Sequence, residues 1–502
     1  MRAARAVFLS FLLAVALAAP QVAVAAKKKR PDPVEAALRK HIEILASDEF
    51  DGREPGTEGE TLTLRYLARE WFDMGLVSGT NLPGKEWFAP VELVERAPLT
   101  SSATFQRGKR RITVPENSVW VVTSGLRAVV EPSPVLFVGH ARGPLPARTD
   151  LAGRVALMLD GAPDPAAATD RAGALLDAGA AAVITVLDGE RALEDIVARR
   201  ERAGYALAGV GAGGDIEAFV SPAGLAALLP AGTDLARMQV EAQSPAFVPR
   251  VLNFTAALEA TTRETRIKTH NLIGRIPGRL PSAGAVLLIA HWDHFGECAE
   301  PPAEDLICNG AIDNASGVAV ITEVARAIVN GRQLDRDVYV LATTGEELGL
   351  LGALAFAENP PIPLDRIVAA FNVDSVGLVG RGLPLTIIGR GMTGLDSGIE
   401  AVARKMKRKV VQNDAANIYV RRQDIWALMQ HDVPTVMVSS AYSDVELLER
   451  FMEDIYHRPG DQPTGLVLGG AAEDVAFHIE LVRHFGTIRN WPAGGGKGGN
   501  TP

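Results

Sequence analysis

The spacing of apolar residues changes several times along the chain, and each change predicts a different element. Val34 to Ala46 sets Ala37, Leu38, Ile42 and Leu45 near helical spacing, the mark of an amphipathic helix. SDEFDGREPGTEGE (Ser47 to Glu60) is polar and rich in Gly and acids, as a loop is. A second helix is expected over Thr61 to Met74, closed by Gly75. WFAPVELVE (Trp87 to Glu95) alternates like a strand. From about Val119 to Leu258 short units of Ala, Val, Leu and Gly take over. AGRVALMLDG (Ala152 to Gly161) reads as a buried strand and turn, Asp170 to Ala178 as a helix, and AAAVITVLD (Ala180 to Asp188) as another strand.

Beyond NLIGRIPG (Asn271 to Gly278) the pattern changes again. AVLLIAHWD (Ala285 to Asp293), DVYVLATTGEE (Asp337 to Glu347) and IVAAFNVD (Ile367 to Asp374) are near-continuous apolar runs that end in polar residues. Such runs suit strands covered on both faces. Helices are expected at Ser316 to Asn330, Leu350 to Glu358 and Pro463 to Asn490. The whole predicts an α/β fold, a mixed central sheet sandwiched by helices with a small β-rich α/β insert. The expected division is a discontinuous domain over 31–118 and 260–490, an insert over 119–259, and a disordered tail over 491–502. A length of 502 residues agrees with more than one core.

The N-terminus has the form of a secretory signal over residues 1–25. Arg2 and Arg5 precede an apolar stretch, Val7 to Ala19, and Ala23-Val24-Ala25 fits small-residue cleavage. That stretch falls short of the roughly 20 residues needed to span a bilayer, and no later segment is long and apolar enough, so no stable membrane span is expected. The mature chain is expected to be secreted or periplasmic after cleavage near Ala25. A formal net charge of −9, with KKKR at 27–30 the only basic run, argues against a nucleic-acid partner. Cys298 and Cys308 are either two thiols or, as an oxidising compartment favours, a disulfide across a short loop. GVGAGGD (Gly209 to Asp215) lacks phosphate-loop spacing and reads as a plain loop. Nothing in the sequence fixes the oligomeric state.

The chemistry-bearing residues gather at the ends of the apolar runs. AHWDHFG, NGAIDNASG, TTGEELGLLG and FNVDSVG follow one another between Ala290 and Gly377, and YHRPGD (Tyr456 to Asp461) lies far downstream. Acids and histidines at one edge of an α/β sheet mark its usual active-site position. Hydrolysis of an amide by two metals about 3.5–4 Å apart needs a carboxylate spanning both ions, further His and acid ligands, and a free carboxylate as base. His291, Asp313, Glu346, Glu347, Asp374 and His457 supply those types. Glu346 and Glu347 follow an apolar run in which stray charge would be costly.

These motifs resemble those of the secreted dizinc aminopeptidase family, whose relatives include glutamate carboxypeptidase II, the glutaminyl cyclases and transferrin receptor ectodomains. LASDEFDGREPGTEGE, TGEELGLLGA, NVDSVG and YHRPGD carry the resemblance. LAGRVALMLDG, DAGAAAVITV and VSPAGLAALL make the insert similar to a protease-associated domain. The resemblance implies a zinc-exopeptidase-like sheet, a peptide substrate and two Zn2+, with Mn2+ or Co2+ as substitutes. It implies that Asp313 bridges the ions, that His291 and Asp374 complete one site, and that Glu347 and His457 complete the other. Glu346 would be the general base acting on a water bridged by the two zincs, Asp293 would orient His291, and Tyr456 is a candidate to hold the oxyanion.

An aminopeptidase is therefore the leading expectation. A carboxypeptidase of the glutamate-carboxypeptidase kind stays open because Arg421 and Arg422 precede Asp424. A glutaminyl cyclase and a non-catalytic receptor-like ectodomain are further alternatives, disfavoured by the insert and by the full ligand set respectively. QDIWALMQHDVPTVMV departs from the family pattern, with Ile425 where a histidine is usual, which leaves Asp424 as a candidate pocket residue. Arg458 stands where Thr is more usual. His294 is a candidate supporting residue, and His41, His140, His270, His431, His478 and His484 are expected to be structural or exposed.

Overall fold

The apolar run Ala285–His291 is a strand with every residue buried. Its side chains alternate between two cores, as the two-residue period of a strand requires. Val286, Leu288 and Ala290 join the cluster that holds Leu38, Ile42 and Trp71. Ala285, Leu287 and Ile289 join one on the other face, with Leu341, Phe356 and Leu428. The computed structural model describes residues 32–492, apart from 81–86, 141–143, 161–164, 189–190, 201–203, 210–213, 234 and 245. The expected signal segment, the KKKR run and most of the GVGAGGD loop lie outside the described residues. No helix among the described residues is long and apolar enough to cross a membrane.

The sheet is mixed and continuous, with helices on its faces. From one edge its strands run Thr386–Ile388, Thr435–Ser439, Ile367–Asn372, Ala285–His291, Asp337–Thr343 and Arg250–Ile276. Ala285–His291 pairs parallel with Asp337–Thr343, bringing His291 beside Thr343, and parallel with Ile367–Asn372, bringing Ile289 beside Asn372. The C-terminal ends of these three strands therefore share one sheet edge. Helices Pro33–Leu45, Glu58–Asp73, Gly317–Val329 and Gly469–Phe485 contribute Leu38, Leu67, Val324 and Leu481 to the larger core. The first of them begins where Asp32 accepts hydrogen bonds from the N–H groups of Val34 (2.8 Å) and Glu35 (3.4 Å), with Pro33 opening the first turn.

Two long strands connect this part to the segment 119–259. Phe88–Arg107 pairs antiparallel with Arg250–Ile276 from Leu272↔Phe88 to Thr255↔Gln106. Arg250–Ile276 pairs at one end with Asp337–Thr343 and at the other with Arg127–His140. The sheet then continues through Val155–Leu159, Ala182–Val186, Ile216–Val220 and Val119–Thr123. This region has its own clusters, one holding Phe137, Leu157 and Ile184 and the other Leu136, Met158 and Leu175.

Several boundaries differ from the sequence expectation. The second helix starts at Glu58 rather than Thr61, because Gly59 lets its first turn pack against Phe50, whose carbonyl would lie 2.3 Å from an added Cβ. The last helix is Gly469–Phe485, shorter than 463–490; Gly465 at φ +84 interrupts the chain before it. The expected tail begins too early, since Trp491 is buried against Phe485 with ring centroids 4.7 Å apart. Cys298 and Cys308 form a disulfide, with Cα atoms 5.6 Å apart.

Candidate metal centre

Each candidate ligand sits just beyond a strand end or on a turn held by buried hydrogen bonds. His291 closes its strand. Glu346 and Glu347 follow Thr343 by three and four residues, and Asp374 follows Asn372 by two. Asp313 lies in the turn before the helix Gly317–Val329. Asn314 ties that turn to the next strand end: its Nδ2 donates to the Val373 carbonyl (3.1 Å) and its Oδ1 accepts from the N–H groups of Gly317 (2.9 Å) and Ser375 (3.2 Å). His457 has φ +58, a left-handed conformation uncommon outside glycine, in the turn after helix Val445–Asp454.

The carboxylate of Asp313 stands between two imidazoles. Its Oδ1 is 3.2 Å from His291 Nε2 and its Oδ2 is 3.3 Å from His457 Nε2. On one side, Asp374 Oδ1 also approaches His291 Nε2, at 3.6 Å. On the other, Glu347 Oε2 lies 3.0 Å from His457 Nε2. Glu346 Oε2 is 3.9 Å from His291 Nε2. All five proposed ligands and Glu346 therefore converge. His291 Nε2, His457 Nε2 and Asp313 Oδ2 are buried atoms that take part in no hydrogen bond. Buried polar atoms are rarely left so. Facing nitrogens and carboxylate oxygens without mutual hydrogen bonds are what a cation between them would require, and a set of His and carboxylate donors suits zinc.

The surroundings set the charge states. Burial pushes the Glu346 carboxyl well above its usual range, helped by Glu347 and Asp374 and opposed by His291. Burial likewise raises Asp293 to about 7. Burial opposes ionisation of Asp313 as well, but the imidazoles of His291 and His457 outweigh it and hold that carboxyl well below the usual range. For His457 burial disfavours the charged ring, yet Asp313 and Glu347 prevail and lift it to about 9.

Asp293, expected to orient His291, does so mainly through its backbone: its carbonyl lies 3.2 Å from His291 Nδ1, against 3.9 Å for carboxylate Oδ1. That Oδ1 accepts from the N–H of Glu346 (3.2 Å) and so positions the acidic pair. His294 is fully buried, and its Nδ1 lies 2.6 Å from Glu347 Oε1. Tyr456 stacks on His457 at 3.6 Å between ring centroids, and its hydroxyl accepts from Arg422 Nη2 at 3.4 Å. Asp424 is not in the pocket. It is fully buried and accepts from Thr343 Oγ1 at 2.5 Å, whereas the preceding Gln423 lines the cleft beside Asp374.

Two supporting residues escaped the sequence reading. Asp461, fully buried, accepts hydrogen bonds from the N–H groups of Ile312 (2.8 Å) and Asp313 (2.9 Å). Its place in YHRPGD, four residues after His457, was the available signal. Arg53 is also fully buried and donates to the carbonyls of Leu45 (2.8 Å), Trp292 (2.8 Å), Asn309 (2.6 Å) and Gly310 (2.9 Å). An arginine within DGREPG gives no sign of such burial.

Residues 271–473 match the family model described as Peptidase family M28. The match spans every ligand candidate, Glu346 and both Asp293 and Asp461. Among solved structures, an aminopeptidase from Aneurinibacillus sp. strain AM-1 is similar over 90% of this chain and 93% of its own, with 17% identity and a TM-score of 0.53, a likeness of fold. A zinc aminopeptidase from Bacillus subtilis aligns over 91% of this chain and 96% of its own, with 17% identity and a TM-score of 0.46. Among curated proteins, a vacuolar membrane protease of Pyricularia oryzae is 28% identical over 125 residues, 25% of this chain. The match covers 11% of that protein's length.

Proposed function

We propose that the protein is a zinc-dependent exopeptidase with two metal sites, and that it removes N-terminal residues from peptides. The observation that carries this reading is the division of one carboxylate: Asp313 offers Oδ1 toward His291 and Oδ2 toward His457. Asp374 would complete the first site and Glu347 the second. Zinc held there would polarise a peptide carbonyl and lower the pKa of water.

The remaining steps belong to side chains of the protein. Glu346, ionised once cationic charge is close by, takes the proton of the attacking water and delivers it to the departing amine. Asp293 holds the Glu346 backbone for that transfer. The Tyr456 hydroxyl, with Arg422 beside it, is suited to donate to a developing oxyanion. Tyr419, Tyr442, Leu448, Phe451 and Met452 line the cleft next to Asp374, a surface suited to an apolar or aromatic side chain. The presence of Arg422 in the same cleft supports a second reading, a carboxypeptidase that pairs the substrate carboxylate with its guanidinium.

We further propose that 119–259 is a protease-associated insert bordering the cleft and that the mature protein is secreted or periplasmic. The Cys298–Cys308 disulfide supports the second point, since such bonds persist in oxidising compartments. A screen of aminoacyl anilides against N-blocked peptides with C-terminal glutamate, with and without chelator, tests the assignment. Cleavage of the anilides, abolished by chelator and restored by zinc, is expected. Cleavage of the blocked peptides alone would establish the carboxypeptidase reading, and chelator-resistant activity would overturn both.

A further inference from the structure

The inserted sequence carries a second cleft, built on strands of its own. Arg127–His140, Val155–Leu159 and Ala182–Val186 run parallel. Their C-terminal ends, with the helices Pro222–Leu228 and Leu235–Ala242, border a small cavity of about 230 Å³. Crevices at the carboxyl ends of parallel strands are where α/β sheets take ligands. Leu159, Val186, Leu225 and Met238 give this one largely apolar walls.

Asp160 interrupts that apolar surface. It follows the last residue of its strand, lines the cleft and is fully buried. Arg191 forms an ion pair with its Oδ2, which compensates the charge. Asp160 Oδ1, however, accepts no hydrogen bond. An ionised carboxylate is acceptor-only and has about four lone-pair sites, so a buried one with a donor on a single oxygen is an incomplete arrangement. Asp188, at the end of the neighbouring strand, adds a second carboxylate to the same wall. Gln239, Gln243 and His140 complete the polar lining, and the body of the cleft is apolar.

We propose that this cleft binds a small ligand carrying a primary ammonium group on an apolar body. The ammonium donates to Asp160, and the apolar part packs against Leu159, Val186, Leu225 and Met238. A free apolar amino acid and a simple alkylamine share that chemistry. The inference stands apart from the peptidase reading, because it uses no residue of the metal centre.

Isothermal titration of the zinc-loaded full chain tests it, with 3-methylbutylamine as probe, its uncharged analogue 3-methylbutan-1-ol, and leucine. The amine is expected to saturate a site in the wild-type protein, with the alcohol at least about tenfold weaker, as loss of a charged hydrogen-bond donor implies. Asp160→Asn should weaken the amine by a similar factor, and Leu225→Trp, which fills the cleft, should remove binding. Zinc content and the cooperative thermal transition report whether each variant is folded, and either variant alone is decisive. Leucine binding at least as well as the amine identifies an amino-acid site; leucine binding much more weakly identifies an amine site. No saturable binding to the wild type, or amine binding that is unweakened in either folded variant and therefore belongs to another site, would overturn the proposal.

Discussion

Asp461 accepts a hydrogen bond from the backbone N–H of Asp313 at 2.9 Å, and its other oxygen accepts from Ile312 at 2.8 Å. The turn that presents His457 thereby also fixes the backbone of the carboxylate facing it. Two proposed ligands separated by 144 positions in the chain are set by one short segment. Asp461→Asn replaces one acceptor with an amide NH2 that meets a backbone donor. Zinc affinity should fall by about 10–100-fold, the usual loss for a group supporting a metal ligand. Competition with a chromophoric chelator measures it.

Glu346→Gln should lower kcat by about 10²–10⁴, the contribution of a positioned acid–base group. Zinc content, read by elemental analysis, should stay near wild type, because the change removes the proton carrier and leaves the proposed ligands in place. Loss of zinc instead would exchange the roles of Glu346 and Glu347.

Asp313→Ala removes the one carboxylate that faces both His291 and His457. Both ions should be lost together, and added zinc should not restore a half-loaded enzyme. A variant that keeps two tightly held ions would refute the shared ligand.

In the metal-free protein, Asp313 and Glu347 hold His457 protonated up to about pH 9. Zinc must displace that proton, so affinity should fall as pH falls and rise as pH approaches about 9. Titrations near neutral pH in buffers of different ionisation enthalpy should show proton release on zinc binding. Equal heats in all buffers would contradict the assignment of His457.

The Cys298–Cys308 bond closes a loop of sequence separation 10 that lies in the chain between the proposed ligands His291 and Asp313. Gly52, at φ +59, packs directly on the loop, where an added Cβ would lie 2.6 Å from the Cys308 carbonyl. Replacing both cysteines with serine should cost about 2–3 kcal/mol of stability, the size expected from closing a short loop. Urea unfolding with and without reductant would show it; a reductant-insensitive wild-type transition would argue against any such contribution.

Much of the fold was legible because burial on both faces leaves a plain trace. Ala285–His291, Asp337–Thr343 and Ile367–Asn372 are apolar throughout, and the polar residues that end them fall at the shared sheet edge. His291, Glu346, Glu347 and Asp374 stood out for the same reason, as acids and a histidine at or directly after the ends of such runs. Arg53 and Asp461 were not. Their partners are backbone groups, most of them far away in sequence, and backbone groups leave no side-chain pattern to read. Asp424 was misplaced because its position beside the cleft residue Gln423 says nothing about which of the two turns inward. The early start of the helix Glu58–Asp73 was hidden by Gly59, which reads as a loop residue but serves close packing.

The burial of Arg53 limits how the molecule can be divided. Its guanidinium answers carbonyls of Leu45, Trp292, Asn309 and Gly310 from a position that lies 218 residues ahead of the family-matched segment. A fragment beginning at residue 271 would leave the Trp292, Asn309 and Gly310 oxygens without their shared donor, in the loops that flank His291 and Asp313. The hydrolase core is therefore not a portable cassette. Any minimal enzyme cut from this chain has to bring its N-terminal residues along.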